Sequence, residues 1–148
     1  AQTGLPNPTH ARSHRHGSVL VRAMSRKRAL LIVDHGSRQP EANNAICEIA
    51  RMTREIRPEL IVEYAHMEMV EPDMEEGVAR CVAAGADEVT VHPYLLADGR
   101  HCRETIPEEI GKLELKYPDV QFRITAPLGP HEKLAEIVLQ RADESESG

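Results

Sequence analysis

The sequence predicts an α/β fold, a flavodoxin-like four-stranded parallel sheet with helices on both faces. Three observations predict it. Short apolar runs alternate with helix-patterned segments as β-α-β-α-β-α-β-α. The links between them are short. The apolar runs end in polar, ligand-type residues and glycine. In open sheets of this class, ligands sit in the crevice beyond the carboxyl ends of the strands.

The first strand is Ala29-Leu30-Leu31-Ile32-Val33, which stops at Asp34-His35-Gly36-Ser37-Arg38. Gln39-Pro40-Glu41 opens a helix with proline in its first turn. Ala42, Ala45, Ile46, Ile49, Ala50, Met52, Thr53 and Ile56 form its apolar stripe, and Pro58 ends it. A second strand, rich in β-branched residues, covers 60–67 and runs into Glu68-Met69-Val70-Glu71-Pro72-Asp73. A second helix over 72–84 carries Met74, Val78, Cys81 and Val82 on one side and stops at Gly85. The third strand covers 88–96 and is broken locally by Pro93. Beyond the loop Ala97-Asp98-Gly99-Arg100-His101, a third helix covers about 102–116 and a fourth strand 120–126. Gly129-Pro130-His131 opens a fourth helix that fades into an acidic tail. The division expected is a disordered basic segment over 1–28, one domain over 29–142 and the tail over 143–148. A four-stranded sheet is small, and a second subunit is a natural cover for its exposed edge or face.

The 148 residues are enough to bury a core, and 41% hydrophobic with 28% charged residues is the balance of a water-soluble domain. No apolar run approaches the ~20 residues of a membrane span. The net charge of −6 is unevenly placed: Arg12, Arg15, Arg22, Arg26, Lys27 and Arg28 precede the first acidic residue, Asp34. The acidic remainder does not suit a general nucleic-acid surface. The Arg- and Ser-rich, acid-poor start fits the end of an organelle transit peptide, with a basic tail or a tag remnant around His14-Arg15-His16 as the alternatives. Cys47, Cys81 and Cys102 are widely spaced, which supports neither a disulfide framework nor a structural zinc site. Cys47 and Cys81 read as buried small hydrophobes, whereas Cys102, beside His101 and Arg103, is the candidate reactive thiol.

Three strand ends bring His35, Glu68 and His101 to one rim. Two imidazoles and a carboxylate suit a borderline divalent ion such as Fe(II), Co(II), Ni(II) or Zn(II). The same loops carry Ser37, Arg38, Arg100 and Arg103, groups that together with helix-start amides suit carboxylates or phosphates. An anionic substrate that meets a metal is the implied chemistry. For each residue taken singly, the blander alternative is an exposed histidine, a surface acid or an arginine paired with local acids.

These residues resemble a known family. Val33-Asp34-His35-Gly36-Ser37-Arg38 with Glu41-Ala42-Asn43, then Ala65-His66-Met67-Glu68 with Glu71-Pro72, then His92-Pro93-Tyr94-Leu95-Leu96 with Gly99-Arg100-His101 and Ile106-Pro107, are similar in order and separation to the small class II tetrapyrrole chelatases. The likeness covers about 29–142 and is nearest to plant plastid members. It implies a chelatase-like fold and insertion of Fe(II) into sirohydrochlorin, with Co(II) insertion as the sister activity and Ni(II) a further substitute. It implies that His35 and His101 deliver the metal and accept pyrrole protons, and that Glu68 is the family's acidic residue. Arg38, Arg100 and Arg103 would grip the macrocycle's carboxylates. Leu96, Met67, Met69 and Tyr94 would supply an apolar wall in a chain with only 3% aromatic residues. It also implies a homodimer in the chloroplast, because short members pair while longer ones hold two such halves. His66 stands where members of the family often carry an aromatic or apolar residue, and His92 lies within the third strand. Both are expected to be core or supporting residues.

Competing readings are weaker. Histidine phosphatases carry arginine immediately before the His-Gly, where this chain has Asp34, which would repel phosphate. A non-catalytic metal carrier or regulatory module would use the same histidines without binding a macrocycle. An iron–sulfur cluster would need four thiolates, more than one copy of the chain holds, and the cysteine spacing does not support one.

Overall fold

The structure is a computed structural model and describes residues 26–146. The expected transit-like segment over 1–25 and residues 147 and 148 therefore lie outside the described residues. Strands β1 (Arg28–Asp34), β2 (Ile61–His66), β3 (Glu88–Pro93) and β4 (Gln121–Ile124) form one parallel sheet in the order β2-β1-β3-β4. Helix α1 (Pro40–Ile56) follows β1 and α2 (Met74–Ala83) follows β2. After β3, a π-helical turn, His101–Thr105, leads into α3 (Ile106–Lys116), and α4 (Glu132–Glu146) follows β4. This is the flavodoxin-like order, whose switch point lies between β1 and β3.

The alternation of side chains along β1 explains both layers. Ala29, Leu31 and Val33 point to one face, where Ala65, Val89 and Val91 join them. Met74, Val78 and Cys81 of α2 and Ile106, Ile110 and Leu113 of α3 close over that face. Ile32 and Val62 point the other way, against Ile46 and Ala50 of α1, with Leu30, Tyr64 and Tyr94 only partly buried around them. Helix α4 contributes no buried residue, and its Ile137, Val138 and Leu139 are 47%, 67% and 65% exposed. Both faces thus carry helices, but unequally.

Local chemistry moves several boundaries from those expected. Helix α2 starts at Met74 because Asp73 is its N-cap, its side chain accepting from the Glu76 amide at 2.9 Å. Strand β3 stops at Pro93, which has no N–H to offer, although Tyr94 N still donates to Val33 O at 2.7 Å. Residues 143–146, read as tail, continue α4, with Gln140 and Arg141 both bonded to Glu144 one turn on. Cys81 is fully buried as expected, but Cys47 is only half-buried. The basic lead-in has a structural use: Glu88, buried where β3 begins, is bonded to Arg123 at 2.9 Å and has Arg26 and Arg28 within 4.0 Å. Among the described residues no helix is long and apolar enough to cross a membrane.

Candidate functional site

The rim beyond β1 and β3 joins two imidazoles directly. His35 follows β1, and His101 opens the π-helical turn after β3. Their Nε2 atoms stand 3.0 Å apart, and the rings meet edge to face with centroids 4.5 Å apart. Each Nδ1 has its own partner: Glu68 Oε1 lies 3.3 Å from that of His35, and Thr105 Oγ1 lies 3.3 Å from that of His101. In the tautomer where His35 carries its proton on Nδ1, towards Glu68, its Nε2 lone pair faces His101. A proton on His101 Nε2 then completes the pair, and the Thr105 hydroxyl donates to His101 Nδ1. Two lone pairs 3.0 Å apart would repel, so this position calls for a shared proton or a metal ion. Two nitrogens bound to one ion at ~2.1 Å and at right angles stand about 3.0 Å apart, the spacing observed here.

The backbone holds this arrangement. Gly36 has φ +92°, and a Cβ there would fall 2.1 Å from Glu68 O, so only glycine lets the loop after β1 cross the loop after β2. Met67 N donates to Asp34 O at 2.9 Å and Glu68 N to His35 O at 3.2 Å, which carries the strand pairing beyond the ladder itself. Asn43 of α1 locks the same loop from the other side. Its Oδ1 accepts from Ser37 N at 3.0 Å and its Nδ2 donates to Ser37 O at 2.8 Å.

The expected residues fall into two groups. His35, His101 and Glu68 are brought together, although Glu68 caps the Nδ1 side of His35 and does not converge on the two Nε2 atoms. Among the described residues no three histidine, cysteine or acidic side chains converge on one metal position. The anion-binding set is more dispersed. Ser37 Oγ accepts from Gln39 N at 3.0 Å, and so shapes the start of α1. Arg100 bonds to Glu104 at 3.0 Å and Arg103 to Asp98 at 3.2 Å, both exposed pairs, while the exposed Arg38 has no side-chain partner among the described residues. Met69 and Leu96 leave 59% and 69% of their surface in solvent at the rim, whereas Met67 and Tyr94 pack against the core. Thr105 was not anticipated. Its only signal in the sequence is its place four residues after His101, one helical turn away.

His66 and His92 each have a partner away from the paired Nε2 atoms. His66 is buried, with Nδ1 2.6 Å from Asp34 Oδ1. His92 is half-buried, with Nδ1 2.8 Å from Thr125 Oγ1, and burial pushes its pKa below the ordinary histidine value. Burial likewise pushes the Cys81 thiol up to about 12. The three cysteines are free and dispersed: Cys81 is on the buried side of α2, Cys47 is on α1 across the sheet, and Cys102 is in the rim turn.

Fold and site together define an α/β protein with a paired-histidine rim at the switch point of a parallel sheet. The chain belongs to the CbiX family, whose model matches residues 29–145. The chloroplastic sirohydrochlorin ferrochelatase of Arabidopsis thaliana is 40% identical over 112 residues, which span 76% of this chain and 50% of that protein. The sirohydrochlorin cobaltochelatase of Priestia megaterium is 36% identical over 118 residues, 80% of this chain and 38% of that protein. Among solved structures, the sirohydrochlorin chelatase SirB from Bacillus subtilis subspecies spizizenii in complex with cobalt superposes with a TM-score of 0.74 at 30% identity, covering 80% of this chain and 50% of that one. SirB from Bacillus subtilis with Fe3+ gives a TM-score of 0.72 at 32% identity, covering 78% and 46%. The chain spans about half the length, or less, of these relatives.

Proposed function

We propose that the chain inserts Fe(II) into sirohydrochlorin, as a lyase of the ferrochelatase type, with Co(II) accepted at the same rim. The observation that carries this reading is the pair of Nε2 atoms 3.0 Å apart, each imidazole steadied through its other nitrogen by Glu68 or Thr105. The relatives named for iron and for cobalt, and the SirB structures with each metal, support the choice of metals.

Insertion exchanges one divalent cation for the two N–H protons of the macrocycle. His35 and His101 hold the incoming ion between their Nε2 atoms. Once the ion has passed to the ring nitrogens, the same two lone pairs are free to take the displaced protons. Glu68 stays on His35 Nδ1, where its charge favours both the metal-bound and the protonated ring. Arg38 is free to pair with a substrate carboxylate, and Arg100 and Arg103 can exchange Glu104 and Asp98 for one. The exposed Leu96 and Met69 offer apolar surface to the ring. Ser37 acts by shaping the loop.

The working unit in this reading is two such halves, here a homodimer. The exposed apolar side chains of α4 support it. A plastid location is part of the same proposal, supported by the name of the Arabidopsis relative.

The test is an anaerobic absorbance assay with sirohydrochlorin and Fe(II), with Co(II) in parallel. Conversion of the metal-free spectrum should outrun the enzyme-free control and fall roughly 100-fold in His35→Ala or His101→Ala. Folded protein that accelerates neither metal would leave a metal- or tetrapyrrole-binding module instead.

A further inference from the structure

A second imidazole–carboxylate pair lies beneath the rim and takes no part in the chemistry above. His66 is 2% exposed, with Nδ1 2.6 Å from Asp34 Oδ1. The two residues form the last rung of the β1–β2 ladder. Asp34 is bonded through the chain to His35, and His66 stands two residues before Glu68. His66 N also donates to Pro72 O at 2.8 Å, closing the loop that presents Glu68. Above the rung, the would-be Cβ of Gly36 lies 3.4 Å from His66 Cβ. The pair therefore sits one rung before the backbone bond that joins His35 to Glu68.

An apolar pair at this rung would hold the sheet together as well or better, because burying a polar or charged pair often costs more than packing hydrophobic groups of similar volume. A short imidazole–carboxylate bond adds direction, which apolar packing lacks. From this we propose that Asp34 and His66 are a positioning pair. Their hydrogen bond fixes the last rung so that the Glu68 carboxylate meets His35 Nδ1 and turns His35 Nε2 toward His101. The inference rests on the metal-site reading of His35 and His101, and adds to it two residues that never touch the ion.

Co(II) alone, titrated into the full chain and followed by its visible ligand-field absorption, tests the pair without the macrocycle. His66→Phe keeps the bulk and removes the hydrogen bond, whereas His66→Asn puts an amide N–H where Nδ1 stood. His66→Phe should bind Co(II) roughly 10-fold more weakly, with an altered absorption band, and His66→Asn should recover most of both. Asp34→Ala should reproduce the His66→Phe result, and it serves as the decisive variant if His66→Phe does not fold.

A folded His66→Phe or Asp34→Ala protein with unchanged affinity and band would overturn the positioning role, and loss of Co(II) binding in His35→Ala would show that the metal site itself stands. Equal impairment of His66→Phe and His66→Asn would also overturn it, since the effect would then not run through the hydrogen bond. If the unaltered chain binds no Co(II), the metal-site reading fails and this inference falls with it.

Discussion

The two faces of the sheet are finished to different degrees. Beneath α2 and α3, thirteen buried residues from the sheet, these two helices and the loop at Ala86 form one continuous cluster. On the α1 side only Ile32, Ile46, Ala50 and Val62 reach the same burial. The difference traces to α4. On the first face each helix following a strand returns to cover it. On the second, α1 covers the β1–β2 half while α4 buries none of its residues. A domain of this size normally returns every amphipathic helix to its sheet, because the apolar stripe has no other means of leaving water. The proposed pairing of two such halves would give the apolar side chains of α4 a place to leave water.

The largest expected effect tests the closed face. Leu31 is completely buried there, and a Cβ added to Gly77 of α2 would come within 2.8 Å of its Cδ1, so helix and strand are in close contact. Leu31→Ala should lower the stability of the fold by about 2–5 kcal/mol in urea unfolding. Val138→Asp on α4 should leave that unfolding curve within about 0.5 kcal/mol when measured on the monomer. It should instead move the sedimentation equilibrium toward monomer. If Val138→Asp unfolds the isolated monomer, α4 is covering its own sheet and the contrast between the faces is lost.

A medium effect reads the contrast through the cysteines. Burial on the inner side of α2 pushes the Cys81 thiol up to about 12, and Glu63 pushes in the same direction. Iodoacetamide at pH 8 followed by mass spectrometry should modify the half-buried Cys47 and Cys102 and leave Cys81 intact until the protein unfolds. Cys81 labelled in native protein would mean that the closed face opens readily.

The smallest effect belongs to the open face. Because burial holds the His92 pKa below its unfolded value, the unfolded chain takes up this proton more readily than the native one. The contribution to stability is complete above pH ~6.5 and is lost as pH falls from there through the lower native pKa. His92→Gln should flatten the stability profile over that interval. A partner covering this face would steepen the unaltered protein's slope as protein concentration rises.

Much of this could be read from residues in order. Asp34-His35-Gly36 announced a strand end because an apolar run met a glycine, and Gly36 proved to be the place where only glycine fits. The shared rim of His35, Glu68 and His101 followed from strand order alone. What escaped was set by side-chain direction and register. Glu68 was left open between holding the ion and relaying a proton, and rotamer and backbone place its carboxylate near Nδ1 of His35, away from the paired Nε2 atoms. Arg100 and Arg103 read equally as substrate clamps or as partners of nearby acids, and Glu104 and Asp98, each within five residues, hold them. The Asp34–His66 bond joins residues 32 apart and is visible only once the β1–β2 register is known. An exposed edge or face was expected of so small a sheet, but not which one, because α4 has the pattern of an ordinary covering helix.

Thr105 has a consequence for how His101 carries its proton. A hydroxyl can give or receive a hydrogen bond, so it can serve His101 Nδ1 whether or not that atom bears the proton. In the proposed chemistry, an ion takes the place of the proton shared by the two Nε2 atoms. His101 shifts its proton from one nitrogen to the other, and the Thr105 hydrogen swings aside. In the proposed exchange this side chain therefore needs only a hydrogen to move.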